Sequence, residues 1–341
     1  MPVQIWLWML GAGFLTWVLV GFVRSYALKN NVVDIPGGRS SHIVPTPRGG
    51  GVAIVGVLLG FAVLLYSFSY INLPVMLALL FSGGLVAAIG FWDDHSHIPA
   101  QWRLCGHFIA GVWALYQLNG LPPLTFFGVQ IDLGLFGNFL ALIFIVWTIN
   151  LYNFMDGING IASIEAISIC IGGIILYLLL DYREPVILLL VLAASASGFL
   201  IWNFPSAKIF MGDSGSGFLG FSIALLSLQA TSIHSNLLWG WLILLGVFAV
   251  DSTFTLLRRL LRGDRVYEAH RAHAYQYASR YYGSHKVVSI FVGIINLLWL
   301  LPWAVSVVLG LVDGILAVFF AYAPLVLLAV KYNAGAREQA S

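Results

Sequence analysis

The sequence predicts an all-α, polytopic integral membrane protein of about eleven transmembrane helices, with its N-terminus periplasmic and its C-terminus cytoplasmic. Two observations carry the class. Sixty per cent of the 341 residues are hydrophobic, with a mean hydropathy of +0.93, and only 9% are charged. A water-soluble domain carries about 25% Asp, Glu, Lys and Arg, so 16 basic and 14 acidic side chains are too few to cover a surface of this size. The long apolar runs must face lipid or each other. The same numbers exclude disorder, a coiled coil and a disulfide scaffold. Cys105 and Cys170 fall in or beside predicted spans and imply no disulfide. The net charge of +2 gives no reason to expect a nucleic-acid partner.

A third observation, the placement of charge, orders the spans. Stretches of about 20 mostly apolar residues lie at roughly 4–23, 50–70, 74–91, 105–118, 136–151, 159–179, 186–202, 216–230, 236–257, 287–310 and 313–331. The fifth and eighth are among the shortest. No basic residue precedes the first, and Arg24 and Lys29 follow it, so it reads as a retained span with its N-terminus outside rather than a cleaved signal. Eleven alternating spans then put fifteen of the sixteen basic residues on the cytoplasmic side and only Arg183 outside. That is a strong positive-inside bias, which dropping one central span would scramble. Residues 1–341 form a single polytopic domain without a separate soluble part. Of the external connections only 119–135, rich in Pro and Gly, is distinctive, and it suits a small hairpin.

Five cytoplasmic segments carry the polar chemistry. The first, DIPGGRSSHIVPTPRGGG, ends in Arg48 and a glycine triplet before the second span, where backbone amides at a helix start can bind an anion. Its plainer reading is a hairpin between two spans. The second, GFWDDHSHIPAQWR, places Asp93 and Asp94 at the end of the third span. Adjacent helical residues point about 100° apart, so the two carboxylates can serve different partners as a base or cation site, or simply mark a charged helix terminus.

The third segment is NLYNFMDGINGIA. Asn150, Asn153 and Asp156 recur every three residues and form one slanting polar stripe if the fifth helix continues. Gly157 and Gly160 bracket Asn159 and allow close backbone approach. Interhelical hydrogen bonding by Asn predicts isolated residues within spans, not a dense cluster at one end. The fourth, NFPSAKIFMGDSGSGFLG, holds Asp213 in a Gly–Ser-rich turn before the eighth span, where a carboxylate can ligate Mg²⁺ and small residues leave room for phosphate. The fifth, RRLLRGDRVYEAHRAHAYQYASRYYGSHK, offers Arg and His to a polyphosphate, although topology control accounts for part of it. His270 and His273 supply too few convergent ligands for zinc. Two intramembrane acids, Glu165 and Asp251, are functional candidates by position alone.

Carboxylates for a metal, glycines for close approach, and Arg/His donors on one side of a membrane suit phosphoryl transfer to a lipid. FWDD, NLYNFMDGINGIA, FMGDSGSGFLG and HRAHAYQ resemble, in order, the motifs of the polyprenyl-phosphate N-acetylhexosamine-1-phosphate transferases (glycosyltransferase family 4), which include the enzyme forming the first lipid intermediate of peptidoglycan. The match covers most of the chain. SSHIVPTPRGGG and EAHRAHAYQ look most similar to the branch that initiates O-antigen in lipopolysaccharide synthesis from UDP-N-acetyl-fucosamine or UDP-N-acetyl-quinovosamine. His97 stands where the peptidoglycan branch has a Lys, and a spaced His pair replaces its three consecutive histidines.

The resemblance implies a multi-pass enzyme of the bacterial inner membrane with its active site facing the cytoplasm. It would transfer sugar 1-phosphate from a UDP-N-acetylhexosamine to undecaprenyl phosphate, releasing UMP, with Mg²⁺ required and Mn²⁺ as a substitute. Membrane lipid is a further partner, and a homodimer is the assembly left open. Asp213 is the implied metal ligand with Asn153 beside it. Asp93 and Asp94 form the acidic pair, Asp93 serving as base or as a positioning group for the lipid phosphate. Asn150 and Asp156 hold the nucleotide or order the metal shell. His270, Arg271 and His273 contact the diphosphate and sugar, and Arg48 adds a substrate contact. UDP-GlcNAc as donor, a secondary transporter using Glu165 and Asp251, and a catalytically inactive scaffold are the alternatives.

Overall fold

A computed structural model describes residues 3–36, 44–96, 98–264 and 270–337; His97, all of 37–43 in the first polar segment and 265–269 in the fifth fall outside them. Each of the eleven apolar stretches is helical. In chain order they are α1 (Val3–Lys29), α2 (Gly51–Ser67) and a continuous rod of α3 (Leu73–Leu77), a π-helical segment (Ala78–Gly83) and α4 (Gly84–His95). Then come α5 (Ala100–Gln117), α6 (Gly134–Met155), α7 (Ile161–Leu179), α8 (Val186–Asn203) and α9 (Asp213–Ile233). The chain continues through α10 (Asn236–Leu244), α11 (Gly246–Leu261), the short α12 (Ala274–Tyr282), and a rod of α13 (His285–Ile295), a second π segment (Asn296–Leu300) and α14 (Leu301–Val308). It closes with α15 (Gly314–Lys331).

Eight of these rods are long and apolar enough to cross a membrane, and α10 with α11 makes a ninth candidate bent by 69° at its break. The expected count of eleven is therefore reached in helices but not in full-length apolar ones. The helix Gly51–Ser67 has only 17 residues, and Ala100–Gln117 carries Gln101, Arg103, His107 and Gln117. Bending the ninth rod frees backbone groups inside the slab, which neighbouring protein must enclose.

Local signals set several ends. Asn72 accepts a hydrogen bond from the Val75 N–H at 3.0 Å and Pro74 follows it, opening α3. Ser284 and Asp313 cap α13 and α15 in the same way. Two ribbons complete the fold. Strands β1 (Val33–Asp34) and β2 (Thr46–Pro47) pair antiparallel, Val33 opposite Pro47, closing the base of the first polar segment. The hairpin expected at 119–135 is β3 (Leu124–Phe126) with β4 (Val129–Ile131).

The helix α9, whose sequence gave one of the two weakest spans, is the most enclosed of all and packs between α4 and α6. Its Gly–Ser-rich start lowers its hydropathy and also lets neighbours come close. At Gly90 of α4 an added Cβ would lie 2.5 Å from the Asp213 carbonyl. That approach brings the end of α4 against the start of α9.

Candidate active site

The end of α4 presents Asp93 and Asp94 to different partners, as helical geometry requires. The Asp94 side chain is almost fully buried, ion-pairs with Arg48, and accepts the Asp213 N–H at 3.0 Å and the Ser214 N–H at 3.5 Å. It therefore caps α9, satisfying amides that a helix start leaves free. Asp93 ion-pairs with Arg103 and accepts the Ile98 N–H at 2.8 Å. Asp213 is the first residue of α9, not part of a preceding turn, and its negative charge suits the helix N-terminus. Its two carboxylate oxygens lie 3.5 Å from Arg48 and 3.4 Å from Arg103. Two guanidiniums thus hold three carboxylates in one chain of contacts.

The polar stripe arrives from α6, which runs to Met155, with Asp156 just beyond its end. The Asn153 side chain lines the same cavity as Asp213. Burial, then the charges of Asp213 and Asp94, push the Asp156 carboxyl well above the usual carboxylate range, against the opposing pull of Arg48. Asn153, Asp156, Asp213 and Arg48 all line a cavity of about 280 Å³, together with Asp34, Asn159, Asn203, Gln276 and His285. Asn203 is tied into the wall: it accepts the Gly160 N–H at 2.6 Å and donates to the Ile209 carbonyl at 2.9 Å.

Not every expected residue reaches this cavity. Asn150 lies one turn deeper, donating to the Val146 carbonyl at 2.7 Å and facing His107 at 3.5 Å. The glycine triplet does not offer a ring of free amides, because Gly50 and Gly51 donate to the carbonyls of Phe210 and Met211 at 2.9 and 2.8 Å. Strand-like pairing of this loop with the segment before α9 uses those groups, so its contribution to the cavity is the Arg48 side chain.

His273 is buried outside the cavity lining. It forms a reciprocal cap with Gln276 at the start of α12 and faces Asp251 at 3.3 Å. The ring of His270 packs on it with centroids 4.9 Å apart. Burial, then the charges of His273 and Arg259, lower the His270 imidazole to about 3, so it stays neutral at physiological pH. Arg271 uses its carbonyl to accept from Arg280 at 3.1 Å.

The fifth polar segment instead reaches the cavity through α12. Asp251 accepts the N–H groups of Ala274 and Tyr275 at 2.8 and 2.9 Å. The Tyr275 hydroxyl donates to the Phe154 carbonyl at 3.0 Å, and Gln276 reaches the wall. Gly157 is required by this contact, since a Cβ there would meet the Tyr275 hydroxyl at 2.1 Å. Asp251 is thus a helix anchor. Glu165 accepts from Asn296 at 2.6 Å in the slab interior, remote from the carboxylates.

Arg103 is the residue that sequence reasoning missed, counted only as a topology determinant. Its signal was a cation in the first turn of α5, the unfavourable end of a helix dipole. Such a placement calls for nearby acids. Tyr275 and Gln276 lie within the HRAHAYQ motif but were given no role of their own, because their roles depend on where α12 docks.

Among the described residues no three His, Cys, Asp or Glu side chains converge into a metal cage. Mg²⁺ does not require one, since it usually binds through one or two carboxylates, substrate phosphates and retained water. Asp213, Asp156 and the Asn153 amide on one cavity wall fit that donor set.

As a class, this is a multi-pass helical membrane protein with an acid–arginine cluster beside a polar cavity. The glycosyl transferase family 4 model matches residues 76–231, which contain Asp93, Asp94, Asp156 and Asp213. The chain is 31% identical over 300 residues to a probable undecaprenyl-phosphate N-acetylglucosaminyl 1-phosphate transferase of Bacillus subtilis, covering 83% of this chain and 79% of that protein. It is 28% identical over 329 residues to the decaprenyl-phosphate N-acetylglucosaminephosphotransferase of Mycolicibacterium smegmatis (84% and 79% covered). It is 32% identical over 255 residues to the phospho-N-acetylmuramoyl-pentapeptide-transferase of Enterococcus hirae (70% and 74% covered). The chain belongs to glycosyl transferase family 4.

Proposed function

We propose that this protein transfers an N-acetylhexosamine 1-phosphate from a UDP-sugar to undecaprenyl phosphate, releasing UMP, at the cytoplasmic face of a bacterial inner membrane. The observation that carries this reading is the cavity of about 280 Å³ on whose wall Asn153, Asp156 and Asp213 meet Arg48. Asp213 and Asn153, with Asp156, would hold Mg²⁺ or Mn²⁺. When bound, the ion withdraws charge from the diphosphate.

The chain's own residues then have distinct tasks. Arg48 offers guanidinium donors to diphosphate oxygens. Asp93 and Asp94 fix Arg103 and Arg48 beside Asp213, positioning cations instead of accepting a proton. The lipid phosphate, a dianion above a pKa of about 6, needs little help from a base. One of its oxygens bonds to the phosphorus bearing the sugar while that phosphorus parts from UMP. Arg271 and His270 are the donors that the family resemblance offers to the sugar side, and Asn150 supports the stripe from below.

The favoured donors are UDP-N-acetyl-fucosamine and UDP-N-acetyl-quinovosamine, in lipopolysaccharide O-antigen initiation. The spaced pair His270 and His273 supports that branch, whereas the relatives' names favour UDP-GlcNAc and cell-wall glycans. The test is UMP release and lipid-product formation by purified protein with undecaprenyl phosphate, Mg²⁺ and a panel of the three donors. Lipid- and metal-dependent turnover of one donor, abolished by Asp213→Asn, is expected. No turnover of any of the three, with a related enzyme active alongside, would overturn the assignment.

A further inference from the structure

The side of the bundle formed by α1, α7 and α8 carries a second cavity, of about 580 Å³, remote from the acidic cluster. Its floor is one face of α8, from Leu190 through Ala194 and Ser197 to Ile201; α1 forms one wall with Leu10 and Phe14, and α7 the other with Ile171. Leu10, Phe14 and Ile201 are more than 60% exposed, so the groove opens outward. The eleven helical steps of about 1.5 Å from Leu190 to Ile201 make it about 17 Å long. That is roughly half of the ~30 Å hydrocarbon core, the depth of one leaflet.

The end nearer Asn203 is capped by polar chemistry in layers. Trp17 lines the groove, and Trp202 stacks on it with centroids 6.4 Å apart and donates to its carbonyl at 2.9 Å. The Lys208 ammonium lies 5.6 Å from the Trp202 ring centroid, and Arg24 donates to the Lys208 carbonyl at 3.2 Å. Among the described residues neither cation has a carboxylate partner. An apolar channel one leaflet deep, a tryptophan layer at interface depth and two uncompensated cations beyond it match the acyl chain, ester region and phosphate of a lipid.

We propose that this groove binds one anionic phospholipid of the surrounding bilayer, its chain along α8 between α1 and α7 and its phosphate at Arg24 and Lys208. Positive-inside placement alone explains a cation's side of the membrane. It does not explain why two cations stand over a tryptophan pair at the mouth of an apolar groove. The site is separate from the acidic cluster, and its test does not depend on the catalytic reading.

Native mass spectrometry of the full chain, delipidated and offered phosphatidylglycerol or phosphatidylcholine with identical acyl chains, reads the site directly. Wild type should retain one phosphatidylglycerol at least tenfold better than phosphatidylcholine. The double variant R24Q/K208Q should lose that preference. Ser197→Phe, which fills the groove from its exposed floor, should remove the bound lipid. Ile171→Trp fills it from the other wall and serves if Ser197→Phe fails to yield monodisperse protein. Equal retention of both lipids, or a preference that survives R24Q/K208Q, would overturn the proposal. So would a preference unaffected by either filling variant. Displacement of phosphatidylglycerol by equimolar undecaprenyl phosphate would overturn the choice of occupant.

Discussion

Asp251 lies in a helix that looks membrane-spanning, yet the structure makes it the hinge pin of the cavity wall. It is 6% exposed and accepts from the N–H groups of Ala274 at 2.8 Å and Tyr275 at 2.9 Å and from the Thr255 hydroxyl at 3.1 Å, while facing His273 at 3.3 Å. In Asp251→Asn the amide oxygen can stay with Ala274 and Thr255, which turns the NH₂ toward the Tyr275 N–H. One buried donor is then stranded, at about 1–3 kcal/mol, and the surviving bonds lose their charge assistance, about 1 kcal/mol more. A total near 3 kcal/mol corresponds to roughly a hundredfold in the docking equilibrium of α12, at about 1.4 kcal/mol per factor of ten. Hydrogen exchange should therefore rise about a hundredfold over residues 274–282 and remain unchanged in α9. Because α12 brings Gln276 to the cavity, KM for the nucleotide sugar should rise more than kcat falls. Asn72→Ala, which removes a cap of about 1 kcal/mol at α3, should leave both readouts alone. Wild-type exchange over 274–282 in Asp251→Asn would refute the anchor.

Arg103→Ala removes a guanidinium shared by Asp93 and Asp213; loss of about 2–3 kcal/mol of transition-state stabilisation, tens- to hundredfold in kcat/KM, is expected. Arg103→Lys should recover only part, because a point charge cannot reproduce the fork. Gly157→Ala places a Cβ 2.1 Å from the Tyr275 hydroxyl, so hydrogen exchange over α12, residues 274–282, should be faster than in wild type. Overpacking of this kind costs about 1–3 kcal/mol. His270 has its folded pKa lowered to about 3 from an ordinary 6.5. The unfolded chain binds the proton first, so this contribution is present above about pH 6.5 and is lost as pH falls toward 3. Thermal melts between pH 7 and 4 should show a smaller acid-induced drop in His270→Gln than in wild type.

What the sequence determined by itself was the class of protein and the ends of its helices where chemistry gathers. Composition forces a membrane fold, since 9% charged residues cannot wet this surface, and period-three polar residues mark Asn153 and Asp156 as one face. Asp93, Asp94 and Asp213 were readable because carboxylates beside a low-dielectric slab need partners. Which partners they have was decided only by tertiary structure. Close approach at Gly90 sets Asp94 against the start of α9, and the first turn of α5 delivers Arg103 to Asp93. The contrast is sharpest in the fifth polar segment. Its histidines and arginine were the obvious phosphate donors, yet α12 docks through Asp251 and Tyr275, and Gln276 faces the cavity. Sequence periodicity records which side of a helix is polar. It holds no information on the angle at which a 69° break between α10 and α11 points the following loop, and that angle selects the residues that meet.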